Sequence, residues 1–418
     1  MPTLRALGVA LTLLVAGSAG SEAPRTVVVL LFDGAAPALL PLAPTPAFAR
    51  MRAEGSHTHA FVPPFPTISL ISGFTISTGC WPARHGIVTN KFQGEDGTLY
   101  DHSRDADWTT GCEHLHEVAE RQGLRAAALD WYGARSGTRG SRASIVDDSP
   151  SHDSFPEDPE RAEEVARLLA LPAAERPRLI LAYLRGPDSA AHFTGMASEE
   201  TAAAVARMDA AVARVIAAIE AGPGRDAAAL FVTTDHGMRE IESIVNVERI
   251  LRYHDIPARS ISTGTTAFLY FEDEGAIEAA AETLADYEEF EVLRRDALPP
   301  YARIGTGPRV APLILSARPP YFIEDASAWP TGLQWLGRYG PRFTPARLFL
   351  KATHGYPPDT PGMAGILYAW GGGVAAGVEL PAVQAVDLHP TVTKLLGIEP
   401  GQPVDGRPIE ALLADPPP

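Results

Sequence analysis

Three aspartates and three histidines stand just beyond, or just before, the hydrophobic runs of this chain. Asp33 follows the first run in LLFDG, Asp188 and His192 lie in GPDSAAH, Asp235 and His236 in VTTDHGM, and His354 in KATHGY. Carboxylate oxygen and imidazole nitrogen are the ligand types of zinc and similar borderline cations. Together these residues can hold two divalent ions. Asp188 and His192 are four positions apart, so a helix starting there puts both on one face. The adjacent Asp235 and His236 can reach one ion where a strand ends and the backbone turns. Taken singly, each element is commonplace: a DH pair is more often a capped turn, and DxxxH a solvated helix face. Their recurrence at four strand boundaries points to a dinuclear centre.

Hydrolysis at such a centre needs a nucleophile. Between Pro66 and Gly79 the chain offers hydroxyls at Thr67, Ser69, Ser72, Thr75, Ser77 and Thr78, and composition does not choose among them. Further along, Trp131 and Tyr132 follow the strand-like AAALD. They read equally as a stacking wall for a substrate or as core aromatics. Arg135 is close enough in sequence to clamp a phosphate. His85 reads as support for the turn at Gly86, and His57 and His59 as solvated loop residues.

The elements that must hold these residues follow from hydrophobic patterning. Thr26–Phe32 is an unbroken β-branched and aliphatic run, as expected of a central parallel strand buried on both faces. Leu179–Leu184, Ala229–Thr233 and Gly365–Trp370 are similar runs. Helical patterns lie between them, roughly at Pro46–Glu54, Glu113–Gln122, Pro159–Leu171, Glu199–Ala221, Ala276–Tyr287 and His389–Leu396. This alternation predicts an α/β fold, a three-layer α/β/α sandwich with a mainly parallel central sheet. Sites in such sheets form beyond the carboxyl ends of the strands. Residues from about 239 to 348 are richer in Arg, Pro and aromatics and read as an inserted cap; 90–108 is a smaller excursion. The rest of 24–418 reads as one catalytic domain.

With 45% hydrophobic and 21% charged residues in 418, global disorder is excluded. A formal charge of −16 argues against binding a nucleic-acid duplex or an anionic membrane. Residues 1–23 read as a cleaved export signal, with Arg5 ahead of the apolar run Ala6–Ala16 and small residues from Gly17 to Ser21. That run is too short to cross ~30 Å of hydrocarbon. No other stretch reaches spanning length, so a mature chain without a membrane span, secreted or periplasmic, is expected. Export permits a disulfide between Cys80 and Cys112, although sequence does not say whether the two meet.

Taken together, the motifs resemble the nucleotide pyrophosphatase/phosphodiesterase branch of the alkaline phosphatase superfamily. The resemblance runs in order from about Thr26 to Gly406. It passes through FDG at Asp33, TG-x-x-P-x-x-HG-I-V from Thr78 with the following Asn90, and PDS-x-x-H at Asp188. It continues with DHGM at Asp235, HGY at His354 and the closing HPTVTKLLGIEP. It implies an alkaline phosphatase-like fold and two divalent ions, Zn2+ by the family's preference. One metal site would be Asp188, His192 and His354. The other would be Asp33, Asp235 and His236, completed by the nucleophile oxygen. The family's nucleophile lies nine residues before the Thr of the TG box, which makes it Ser69 here, where threonine is usual. Diesterases usually read Thr-Phe-Pro-Asn at this point. This chain has Ser69-Leu70-Ile71-Ser72, so the Ser72 hydroxyl would replace an amide as oxyanion donor. Thr67 lacks the spacing, and its substitution is expected to be near neutral.

The activity so implied is hydrolysis of a small phosphodiester or nucleotide-like substrate through phospho-Ser69. Phosphomonoesters, phosphonates and lipid or choline phosphodiesters are the alternative substrates on this scaffold; a metal-binding protein with little activity is the remaining one. Cys80-Trp81-Pro82-Ala83-Arg84 fits the C-x-P-x-R pattern of sulfatases. Their cysteine, however, occupies the nucleophile slot that Ser69 fills here.

Overall fold

The computed structural model describes residues 25–101, 108–134, 141–147, 149, 156–325, 341–346 and 350–414. Residues 1–23, read as an export signal, and Arg135 lie outside them. Among the described residues nine strands build the main sheet: β1 (Thr26–Phe32), β2 (Ser56–Val62), β3 (Ala126–Leu129), β4 (Ile145–Asp147), β5 (Leu179–Leu184), β6 (Ala228–Thr234), β7 (Gly365–Gly371), β8 (Val378–Glu379) and β9 (Val383–Gln384). Their order is β8-β2-β7-β6-β1-β5-β3-β4, with β9 also pairing on β2. From β6 to β4 the pairs are parallel. β7 is antiparallel to both of its neighbours. Sequence reading expects another parallel strand at Gly365–Trp370, but a run buried on both faces carries no mark of its direction.

Helices α1 (Pro46–Glu54), α2 (Ser69–Thr78), α3 (Leu115–Arg121), α4 (Asp158–Leu169), α5 (Asp188–Thr194), α6 (Glu199–Ala221) and α7 (Leu388–Leu396) cover the sheet. The alternation of β1 sorts the two cores. Val27, Val29 and Leu31 pack with residues of α2, α3 and α7. Val28, Leu30 and Phe32 pack with residues of α1, α4 and α6. All seven residues of β1 are buried, and each large apolar side chain so removed from water is worth ~1.5–3 kcal/mol.

Two further elements depart from the sequence reading. α2 reads SLISGFTIST, rich in Ser, Thr, Gly and β-branched residues that are poor helix formers. It is a helix because nine of its ten residues are buried, and packing rather than propensity decides. β2 reads SHTHAFV, and its histidines are strand residues rather than loop residues. His57 stacks on Tyr368 of β7, and His59 Nε2 lies 2.6 Å from the Tyr368 hydroxyl.

Between β6 and β7 the chain builds a separate antiparallel sheet. Its strands run in the order Ala258–Ser262, Thr266–Phe271, Leu313–Ala317, Phe290–Arg294. Helices Val247–Tyr253 and Ala276–Leu284 share its own hydrophobic cluster. Cys80, just beyond α2, is disulfide-bonded to Cys112, just ahead of α3, with Cα atoms 6.6 Å apart.

Candidate active site

The carboxyl edge of the parallel strands gathers the acidic residues and histidines. Asp33 follows β1, Asp235 follows β6, and Asp188 opens α5 a short turn beyond β5. β7 runs the other way, so its first residues lie on that same edge, where Leu367 pairs with Thr233. This is why His354 precedes its strand while the others follow theirs. Gly34 lets the β1 and β5 turns close on each other. It has φ +66°, and a Cβ there would stand 2.8 Å from Cβ of Asp188.

Two groups of three result. Ligand atoms of Asp188, His192 and His354 lie within 4.8 Å of one another, as do those of Asp33, Asp235 and His236. The groups adjoin, with the His236 and His354 rings stacked 3.4 Å apart. In the first, Oδ1 of Asp188 is 3.2 Å from His192 Nε2 and 3.7 Å from His354 Nε2. In the second, His236 Nε2 is 3.2 Å from Asp33 Oδ1 and 3.7 Å from Asp235 Oδ1.

The histidines are oriented from behind. Nδ1 of His192 donates to the carbonyl of Ala352 (2.6 Å), Nδ1 of His236 to that of Gly237 (2.9 Å), and Nδ1 of His354 to that of Thr67 (2.9 Å). Each bond sets the tautomer and leaves the Nε2 lone pair facing the centre, as metal-ligating histidines require. The Tyr183 hydroxyl donates to Asp33 Oδ2. Backbone N–H groups of Gly34 (3.1 Å) and His236 (3.0 Å) donate to Asp235 Oδ1. Oδ2 of Asp235 is buried with no hydrogen-bond partner among the described residues.

Electrostatics point the same way. Burial, with the charge of Asp33 beside it, pushes the Asp235 carboxyl up to about 7. Burial also opposes the charge of Asp188, but the neighbouring His192 and His354 outweigh it and hold that carboxyl below the usual range. Crowded buried carboxylates, two of them with an oxygen that lacks a hydrogen-bond partner among the described residues, are costly by themselves. A divalent cation relieves that cost, and the oxygen and nitrogen donors suit it.

Ser69 stands against the second group. Its Oγ is 3.1 Å from His236 Nε2 and 3.4 Å from each oxygen of Asp33. It is the first residue of α2, and the first backbone bond of that helix runs from Ser72 N–H to the Ile68 carbonyl (3.1 Å). The amides of Ser69, Leu70 and Ile71 therefore precede the helical ladder, an arrangement that favours an anion.

Other residues singled out by sequence sit elsewhere. Ser72 is 0% exposed, and its Oγ has no hydrogen-bond partner among the described residues. The donor role expected of it needs an opening that this burial does not give. Trp131 and Tyr132, 1% and 0% exposed, are core aromatics and form no substrate wall. Trp131 Nε1 donates to Ser77 Oγ at 3.2 Å, and the Tyr132 ring lies against Gly73 and edge-on to Phe74 and Tyr183. His85 is buried, 3.0 Å from Thr75 Oγ1, and accepts from Ile87 N–H. Sequence reasoning missed Tyr183 and gave Thr67 no task. The one signal for Tyr183 was a polar tip near the end of an otherwise aliphatic strand, LILAYL.

Residues 27–357 match the family model described as type I phosphodiesterase / nucleotide pyrophosphatase. Mouse ectonucleotide pyrophosphatase/phosphodiesterase family member 7 is 25% identical over 376 residues, 87% of this chain and 81% of the mouse protein. The venom phosphodiesterase CdcPDE of Crotalus durissus collilineatus is 24% identical over 376 residues, 86% of this chain but 42% of its own length. Among solved structures, human ectonucleotide pyrophosphatase / phosphodiesterase 5 superposes with a TM-score of 0.81 at 20% identity, covering 94% of this chain and 100% of that one. The murine counterpart in complex with AMP gives 0.80 at 20% identity, covering 93% and 100%. These two likenesses are of fold: the α/β, alkaline phosphatase-like architecture.

Proposed function

Because the chain belongs to the type I phosphodiesterase / nucleotide pyrophosphatase family, a family of phosphoric ester hydrolases, we propose that it is an exported phosphodiesterase or nucleotide pyrophosphatase using Ser69 as its nucleophile. One observation carries the assignment. The Ser69 hydroxyl, at the start of α2, touches one of two adjoining ligand groups, 3.1 Å from His236.

The family is metal-dependent. Asp188, His192 and His354 would hold one ion, and Asp33, Asp235, His236 and Ser69 Oγ the other, with zinc as the ion that best fits mixed carboxylate and imidazole donors. When bound, the ions would lower the pKa of the Ser69 hydroxyl and offset charge on the leaving oxygen. The chain's own residues do the rest. Ser69 Oγ attacks phosphorus in line, the leaving oxygen departs with its own group, and Ser69 carries the phosphoryl group still esterified to the substrate's other alcohol. Attack by water then breaks the bond between Ser69 Oγ and phosphorus, releases the phosphate monoester and returns the Ser69 hydroxyl. The first-turn amides of α2 are the donors for the equatorial phosphoryl oxygens. In this reading residues 239–348 serve as an inserted cap and residues 1–23 as the export signal.

The test uses the purified full chain. Chelation is expected to abolish hydrolysis and added zinc to restore it. A nitrophenyl nucleotide diester is expected to turn over faster than nitrophenyl phosphate. A chelated, metal-free sample with full activity would end the dinuclear reading, and a preference for the monoester would move the assignment to a phosphomonoesterase.

A further inference from the structure

We infer that Thr67 is a positioning residue whose hydroxyl locks the His354 turn onto the start of α2, and so sets the affinity of the Asp188–His192–His354 group for its ion. This rests on the metal-centre reading proposed above. Thr67 stands two residues ahead of Ser69 and is 0% exposed.

Its backbone and side chain hold three consecutive residues of a distant segment. The Thr67 carbonyl accepts from His354 Nδ1 at 2.9 Å. Oγ1 accepts from Gly355 N–H at 2.9 Å. The same Oγ1 donates to the Tyr356 carbonyl at 3.0 Å. Met363 Sδ, 3.2 Å away, is the weaker acceptor for that single proton.

Gly355 has φ +101°, and a Cβ there would lie 2.1 Å from Thr265 Oγ1. The middle residue of the His354 turn therefore has no side chain, and the Thr67 hydroxyl takes up its N–H instead. Without that hydroxyl, the Gly355 N–H and the Tyr356 carbonyl lose their partner in a closed site. The ring of His354 would then keep only its Nδ1 bond to the Thr67 carbonyl, on a loosened turn, and would be held less firmly in line with Asp188 and His192. Sequence reading expects a neutral Thr67 because the partners of its hydroxyl lie almost 290 positions away, 288 for Gly355 and 289 for Tyr356.

The experiment titrates zinc into the metal-stripped full chain by calorimetry with a competing chelator. Two variants remove the hydroxyl. Thr67→Val keeps the volume and Thr67→Ala does not, so one can be read if the other does not fold. Both are expected to weaken one of two bound ions by ~10–100-fold, the usual effect of losing an outer-shell partner, and to leave the other unchanged. Thr67→Ser is expected to bind both ions as the natural chain does. Unchanged affinity for both ions in Thr67→Val or Thr67→Ala overturns the inference, and so does an equal loss at both sites. A loss in Thr67→Ser also overturns it, since the methyl group would then be the determinant. A natural chain that binds no ion refutes the metal-centre reading itself, a separate result.

Discussion

Ser69 and Ser72 lie one helical turn apart on α2, yet their surroundings differ. Ser69 is partly exposed and meets His236 and Asp33, while Ser72 is sealed. Ser69→Ala is expected to remove the attacking oxygen and a metal ligand together, lowering turnover by at least ~10³-fold. Trapping the covalent intermediate at low pH and mapping it by mass spectrometry should place the esterified phosphoryl group on Ser69. Phosphate on another residue, or near-normal turnover in the variant, refutes the assignment. Ser72→Ala is expected to behave differently. It deletes a buried hydroxyl with no hydrogen-bond partner among the described residues. Such a group costs ~1–3 kcal/mol to bury, so stability should be kept or raised, and turnover should stay within ~10-fold. A ~10²-fold loss in turnover would instead make Ser72 an oxyanion donor.

At the scale of elements, α2 is supported by buried neutral histidines. Thr75 meets His85, Ser77 Oγ lies 2.9 Å from His114 Nδ1, and the Phe74 ring packs against both imidazoles. His389 of α7 lies nearby, its ring against Gly79 at the end of α2. Burial pushes His85 down to about 3, with Arg309 adding to the effect, and His389 down to about 4 against the opposing pull of Glu113. Burial likewise holds His114 well below its ordinary value. In the unfolded chain these rings titrate near ~6.5. Between that value and the folded one, the unfolded state binds more protons, so stability falls as pH falls. The contribution is complete above about 6.5 and shrinks by about 2 kcal/mol per histidine at pH 5. Urea midpoints of the metal-stripped natural chain and of His389→Leu at pH 7.5 and pH 5 should show the variant losing about 2 kcal/mol less on acidification, the part of the slope that His389 supplies against the opposite change at Asp235. A variant with the natural slope would exclude His389 as a contributor.

For the whole molecule, the proposed export has a direct consequence. Arg5 and the apolar run after it should be absent from the working enzyme. N-terminal sequencing of the exported protein is expected to begin between about Ala19 and Pro24. An intact Met1 on that protein would refute the signal reading. The Cys80–Cys112 bond fits an oxidising compartment.

Much of this protein is written locally in its chain. Hydrophobic runs as long and aliphatic as Thr26–Phe32 leave little choice but a buried strand. Asp33, Asp188 and Asp235 just beyond such runs mark the edge where a parallel sheet makes its sites. The nine-residue spacing from Ser69 to Thr78, carried by family resemblance, singles out the hydroxyl that the fold sets beside His236. Tertiary structure decided what depends on distant partners. α2 is a helix against its own propensities because the fold buries nine of its ten residues. β7 is antiparallel because its pairing with β6 and β2, not its composition, sets direction. Trp131 and Tyr132 are core rather than wall because the sheet and α2 close over them. Thr67 and Tyr183 gain their tasks only when residues far apart in sequence meet, since a hydroxyl has no role until the fold supplies its donor or acceptor.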